Sequence, residues 1–196
     1  MRLTADCREN LTGKINILGE RKDMRKILIV IDMQKDFVDG ALGTPEAVAI
    51  VPNVVEKIKR YDIKDVFATR DTHQPNYMET QEGKNLPVVH CVEGTEGWEI
   101  NKAVAAVLEG AKIINKPTFG STALVDEIVK LSKEEELQIE MVGLCTDICV
   151  VSNALMLKAF MPEVEISVDS ACCAGVTVEK HEAALETMRS CQIKVI

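Results

Sequence analysis

Lys26-Ile27-Leu28-Ile29-Val30-Ile31-Asp32 is a continuous apolar run, mostly β-branched, closed by a single carboxylate. A half-exposed strand would alternate apolar with polar residues, so this run reads as a strand buried on both faces. The theme repeats downstream. Val51 to Tyr61 has helical apolar spacing with Pro52 in its first turn, and Asp65 to Arg70 is a second strand. Helical stretches at Thr95 to Leu108 and Ser121 to Leu131 flank a short strand at Lys112 to Asn115. Leu137 to Gly143 reads as strand and Asp147 to Phe160 as helix; Val164 to Asp169, Val178 to Arg189 and Ile193 to Ile196 read strand, helix, strand. Strands alternating with helices at this spacing predict βαβ units: an α/β fold of three layers, with a mostly parallel sheet and helices on both faces.

The pattern occupies residues 24–196 as one domain and leaves 1–23 as an N-terminal arm. Over the 196 residues, 31 acidic against 23 basic side chains give a net charge of −8, which argues against a nucleic-acid binder working through a basic face. A chain that is 46% hydrophobic and 28% charged is not expected to be disordered or fibrous. Apolar runs fall far short of the ~20 residues of a membrane helix, and the N-terminus has no signal-peptide core. Seven scattered cysteines without a CxxC pair fit a reducing cytoplasm, most of them as small buried hydrophobes. No GxGxxG follows the first strand, so a dinucleotide site is not expected.

Ligands of such sheets bind beyond the carboxyl ends of the strands. Asp32, Arg70-Asp71, Lys116, Cys145 to Cys149 and Asp169 all fall at or just after those ends. Cys149 lies where a strand turns into a helix, and a helix start favours thiolate. Asp32 could take the thiol proton and Lys116 balance the charge. An ammonium ~4 Å away would favour thiolate by about 4 kcal/mol at an effective dielectric of 20. The plainer alternative is a buried core cysteine and an exposed loop lysine.

Asp71 and His73, two apart, project from one face of extended backbone, and His90 could close the set from a neighbouring segment. Two imidazoles and one carboxylate describe a catalytic metal site; hydrogen-bonded loop histidines are the alternative. Glu79 and Glu82 could add an oxygen ligand, although they and Glu93 read more simply as surface groups. Phe37 and Trp98 could line a pocket or belong to the core. Cys145 and Cys149 fit two independent thiols better than a redox pair. His181, between Lys180 and Glu182, reads as solvated.

Five motifs in order carry a resemblance: Ile31-Asp-Met-Gln-Lys-Asp-Phe37, Arg70-Asp-Thr-His73, Pro87-Val-Val-His-Cys-Val-Glu-Gly-Thr-Glu-Gly97, Lys116-Pro-Thr-Phe119 and Gly143-Leu-Cys-Thr-Asp-Ile-Cys149-Val150. Together they resemble the isochorismatase-like cysteine hydrolase superfamily, and within it the nicotinamidase branch, from about Lys26 to the C-terminus. The resemblance implies a six-stranded sheet and a triad of Asp32, Lys116 and Cys149. It also implies a cis peptide at Leu144–Cys145, an oxyanion hole from the backbone N–H groups of Cys145 and Cys149, and Phe37 against the substrate ring. One divalent metal ion (zinc, iron or manganese) is implied on Asp71, His73 and His90. The expected activity is hydrolysis of a small linear amide, nicotinamide first, by a cytoplasmic homo-oligomer without nucleic-acid or membrane partners. The alternatives are a metal-independent hydrolase of the isochorismatase kind and a non-catalytic binding or regulatory member. Two aromatics often found in the branch are missing, where this chain has Thr122-Ala-Leu124 and Leu86-Pro87. A thinner aromatic pocket is therefore expected.

Overall fold

The computed structural model describes residues 24–196; the arm at 1–23, with Cys7, lies outside the described residues. Strands β1 (Arg25–Ile31), β2 (Val66–Asp71), β3 (Lys112–Lys116), β4 (Leu137–Leu144), β5 (Glu165–Ala174) and β6 (Lys194–Val195) form one sheet in the order β3-β2-β1-β4-β5-β6. Every pairing is parallel. The α-helices are α1 (Lys35–Val38), α2 (Pro45–Ile58), α3 (Gln81–Asn85), α4 (Lys102–Ala105), α5 (Thr122–Ser132), α6 (Val151–Phe160) and α7 (Val178–Ser190).

The opening apolar run becomes the central strand, its five apolar residues at most 1% exposed. Alternate side chains serve opposite layers. Ile27, Ile29 and Ile31 pack with Ile128, Leu157 and Leu185 of α5, α6 and α7. Leu28 and Val30 join Val54 and Ile58 of α2 and Val104 of α4 on the other face. Strand order reverses at β1, so the carboxyl ends of β1, β2 and β4 open the crevice where such sheets bind ligands.

Three expectations change. Helix α2 begins at Pro45, not Val51: Thr44 Oγ1 accepts from Ala47 N at 3.0 Å and Pro45 takes the first turn, leaving Pro52 inside the helix. Thr95 to Leu108 is not one helix. A 3-10 turn at Glu96–Trp98 gives way to an extended step in which Ile100 bridges Gln34, and Asn101 then caps α4. Asp169 does not end a strand facing the crevice. Between the pairs Met141↔Val168 and Gly143↔Cys173, β4 advances two residues while β5 advances five. Asp169 sits in that irregular stretch and pairs with Lys57 Nζ at 2.6 Å.

Candidate active site

Asp32 follows β1 with φ 44°, a left-handed conformation that Asp adopts more readily than most residues. Thr69 Oγ1 donates to its Oδ1 at 2.6 Å, and Lys116 Nζ lies 2.7 Å from its Oδ2. Lys116, at the end of β3, is 1% exposed rather than a loop residue in water. The same ammonium reaches Asp71 Oδ1 at 3.4 Å, Thr118 O at 3.1 Å and Cys149 Sγ at 3.4 Å. Cys149, 4% exposed, rides on a π-helical turn, Thr146–Val150, that runs into α6. The Leu144–Cys145 peptide before it is cis. Gly143 has φ 121°, and a Cβ there would stand 2.0 Å from Ile31 O, so β4 passes β1 beside Asp32 only as glycine.

The expected bias toward free thiolate needs correction, because Lys116 is shared. Its nearest partner is Asp32, and the sulfur lies farther off. Burial, and then the Asp32 charge, push the Cys149 thiol well above its ordinary 9.0, with Lys116 opposing. Burial also raises Asp32, against the pull of Lys116. Desolvation works against the Lys116 ammonium, but Asp32, Cys149 and Asp71 more than offset it, so its pKa rises. The resting set is therefore a thiol, a carboxylate made more basic by burial, and a held ammonium.

Asp71 ends β2 and is clamped by Gln34, whose Oε1 accepts from Asp71 N at 2.7 Å and whose Nε2 donates to Asp71 O at 2.8 Å. Ligand atoms of Asp71, His73, Glu82 and His90 all lie within 4.8 Å of one another. Glu82, on α3, is thus half-buried beside the histidines and not a surface group, whereas Glu79 and Glu93 are exposed. His73 Nε2 is buried 2.9 Å from Asp71 Oδ2 without a hydrogen-bond partner, the approach expected of two ligands sharing an ion. His90 Nδ1 lies 2.8 Å from Val88 O, which leaves Nε2 facing the cluster in the manner of metal-binding histidines. Two imidazoles and two carboxylates fit a divalent ion. Burial opposes ionisation of Asp71, but His73 and Lys116 outweigh it and hold the carboxyl below its usual range. Asp71 touches both sets, with Oδ1 toward Lys116 and Oδ2 toward His73.

Both sets open on a cavity of about 610 Å³, whose walls include Cys149, Asp71, Glu82, His90, Phe37 and Phe119. Phe37 is at once core and wall, its ring 5.5 Å from His90. With Phe119 it gives the cavity two aromatic walls despite the two missing rings. Trp98 lies elsewhere: Arg70 stacks 3.6 Å from its ring centroid, and its N–H donates to Thr72 Oγ1. The described cysteines are all free, Cys145 included.

Sequence reading missed several groups. Tyr77 is buried with its ring 4.7 Å from His73 and 5.0 Å from His90. Thr69 and Gln34 hold the two aspartates. Asn153 Nδ2 donates to Cys149 O at 2.7 Å and Phe119 O at 3.0 Å. Gln34 lies inside the first motif, and an Asn one turn after Cys149 is an unusual helix residue; Tyr77 and Thr69 left no such signal. His181 is not simply solvated, since its Nδ1 is 2.8 Å from Thr146 Oγ1. Among the described residues no helix is long and apolar enough to cross a membrane.

The family model for the Isochorismatase domain matches residues 26–196. The pyrazinamidase of Pyrococcus horikoshii in complex with zinc superposes with a TM-score of 0.70 at 30% identity, covering 87% of this chain and 98% of that one. The nicotinamidase/pyrazinamidase PncA of Bacillus subtilis gives 0.74 at 28% identity, covering 88% and 99%. The pyrazinamidase/nicotinamidase of Streptococcus mutans gives 0.76 at 25% identity, covering 88% and 100%.

Proposed function

The chain belongs to the isochorismatase family of hydrolases, and from that premise we propose that it is a cysteine amidohydrolase releasing ammonia from a small primary amide, nicotinamide being the first candidate. One observation carries this reading: a buried ammonium touches both a carboxylate, at 2.7 Å, and a thiol, at 3.4 Å, on the wall of a ring-lined cavity. The similar proteins are pyrazinamidases and nicotinamidases by name, which favours an aromatic carboxamide over an ether substrate.

Cys149 Sγ attacks the amide carbon while its proton passes to Asp32, whose raised pKa makes it a better acceptor. Lys116 stays in contact with both partners, so no charge is left unpaired as the proton moves. The carbonyl oxygen gains charge and is met by the N–H groups of Cys145 and Cys149. Collapse breaks the C–N bond, Asp32 returns the proton to nitrogen, and ammonia leaves a thioester on Cys149. A water then gives a proton to Asp32 as it attacks the thioester carbon. The departing sulfur recovers that proton, and the carboxylic acid is released. Phe37 and Phe119 sandwich or flank the ring and hold the carboxamide near the sulfur. Asp71, His73, Glu82 and His90 would hold a divalent ion (zinc, iron or manganese), which when bound supplies a Lewis acid able to orient a pyridine nitrogen.

The test is metal-loaded protein with millimolar nicotinamide, following nicotinate and ammonia, with Cys149→Ala as control. Nicotinate formed only by the Cys149 protein is expected. Brisk ammonia release from another amide but not from nicotinamide would discard the substrate and keep the chemistry. No ammonia from any of a panel of small amides would discard both.

A further inference from the structure

His181 takes no part in the chemistry above, yet its ring is bonded to the turn that carries Cys149. Thr146, fully buried at the start of that turn, has His181 Nδ1 as its hydroxyl's partner at 2.8 Å. The next side chain, Asp147, also reaches out of the turn, its Oδ1 accepting from Val176 N at 2.9 Å. Gly175 lets the two segments meet: a Cβ there would stand 2.8 Å from Asp147 Oδ1 and 2.9 Å from His181 N. The start of α7, capped by Thr177, is therefore wedged against the turn. Asn153 holds the turn at Cys149 O from within α6. Inside it, Ile148 N and Val150 N both donate to the same acceptor, Cys145 O, at 3.1 Å. Val151 N closes the turn onto Thr146 O and Ile148 O, and the outside anchors tie the closed turn to α6 and α7.

We propose that His181 is a positioning residue: through Thr146 it fixes the Cys145–Cys149 turn, and so the aim of the thiol and of the N–H groups that meet the oxyanion. Its ring is not among the cavity walls, so it acts on the turn and not on the substrate. The turnover part of this inference rests on the amidohydrolase reading; the alkylation part does not.

His181→Ala and Thr146→Val are each expected to lower kcat about 10- to 100-fold, the scale of a small misplacement, with KM changed less than about twofold. His181→Asn, whose amide reaches toward the position of Nδ1, should restore kcat to within a few-fold of the parent. The double variant should be no slower than the slower single one, because both changes remove the same bond. Alkylation of Cys149 by iodoacetamide, itself a small primary amide, is followed by peptide mass spectrometry. It should slow with His181→Ala and recover with His181→Asn at unchanged Tm. Unaltered kcat and alkylation in His181→Ala, additive losses in the double variant, or an Asn variant as slow as the Ala variant would each overturn the proposal. Should His181→Ala not fold, Thr146→Val against Thr146→Ser makes the same comparison. If no amide is turned over, the functional reading fails, and the alkylation series still decides the role of His181.

Discussion

Lys116→Met removes the ammonium that two buried carboxylates share. In the folded protein the ammonium lies 2.7 Å from Asp32 Oδ2 and 3.4 Å from Asp71 Oδ1, and all three side chains are nearly inaccessible. At an effective dielectric of 20 these contacts are worth about 6 and about 5 kcal/mol gross. Desolvating the ammonium takes back several kcal/mol of that. What remains matches the usual cost of removing one partner of a buried ion pair, about 3–5 kcal/mol. For a domain of this size the Tm should fall by roughly 6–20 °C. Adding Asp32→Asn should return part of the loss, since one buried carboxylate is then left where Lys116→Met alone leaves two. The pH dependence has a definite sign. Burial already raises Asp32 above its ordinary 3.8, and without Lys116 the rise is larger. The folded state then binds more protons than the unfolded, so the variant gains stability as pH falls from neutral toward 3.8. Urea melts of chelator-treated protein, checked for constant m, measure this without an ion supplying charge at Asp71. A Lys116→Met protein as stable as the parent, or a double variant weaker than the single, would refute the shared-cation account.

Gly143→Ala should fail to fold or lose several kcal/mol, because its Cβ would stand 2.0 Å from Ile31 O. Gly94→Ala, with φ 79° and open space around it, should cost only about 1–2 kcal/mol in the same melts. Zinc or manganese at about 100 times its Kd should add about 2.7 kcal/mol to the parent's stability, and calorimetry should find that gain absent from a His73→Ala, His90→Ala protein. Turnover should decline on the acid side through an apparent pKa above 3.8, because Asp32 is raised and its protonation removes the base. A pH–rate profile of the metal-loaded enzyme with an acid limb at or below that value would count against Asp32. Deletion of residues 1–23 should leave kcat per folded molecule unchanged in a steady-state assay.

The architecture was legible because burial on both faces leaves a local signature. A run such as Ile27 to Ile31 cannot be half-exposed, and its repetition between amphipathic stretches leaves few topologies. Helix starts were legible where the cap sits beside an apolar period, as at Ser121, and not where Thr44-Pro45 opens a helix well ahead of its strongest apolar face. Candidate site residues at strand ends could be picked out because the fold rule points there. Groups such as Tyr77 and His181 could not, and Glu82 could be offered only as an optional ligand that reads more simply as a surface group. Glu82 and Tyr77 lie at the site through tertiary contacts with the His73 and His90 rings, and His181 through the Thr146 hydroxyl; no periodicity encodes such contacts.

Charge sharing was the least legible feature, and it bears on the chemistry most. Read along the chain, Lys116 has one acid and one thiol to serve; in the fold it has a second acid, Asp71, which also faces the histidines. An ion bound by Asp71 would draw that carboxylate's charge away from Lys116 and leave the ammonium more fully to Asp32 and Cys149. Metal occupancy and the proton balance of the Cys149 thiol are then coupled through a single aspartate. Asp71→Asn should consequently do more than weaken metal binding. In chelator-treated protein it removes one of the charges that raise the Cys149 thiol, so Cys149 should alkylate at lower pH than in the chelated parent. Identical alkylation profiles for the two chelated proteins would show that Asp71 serves the ion alone.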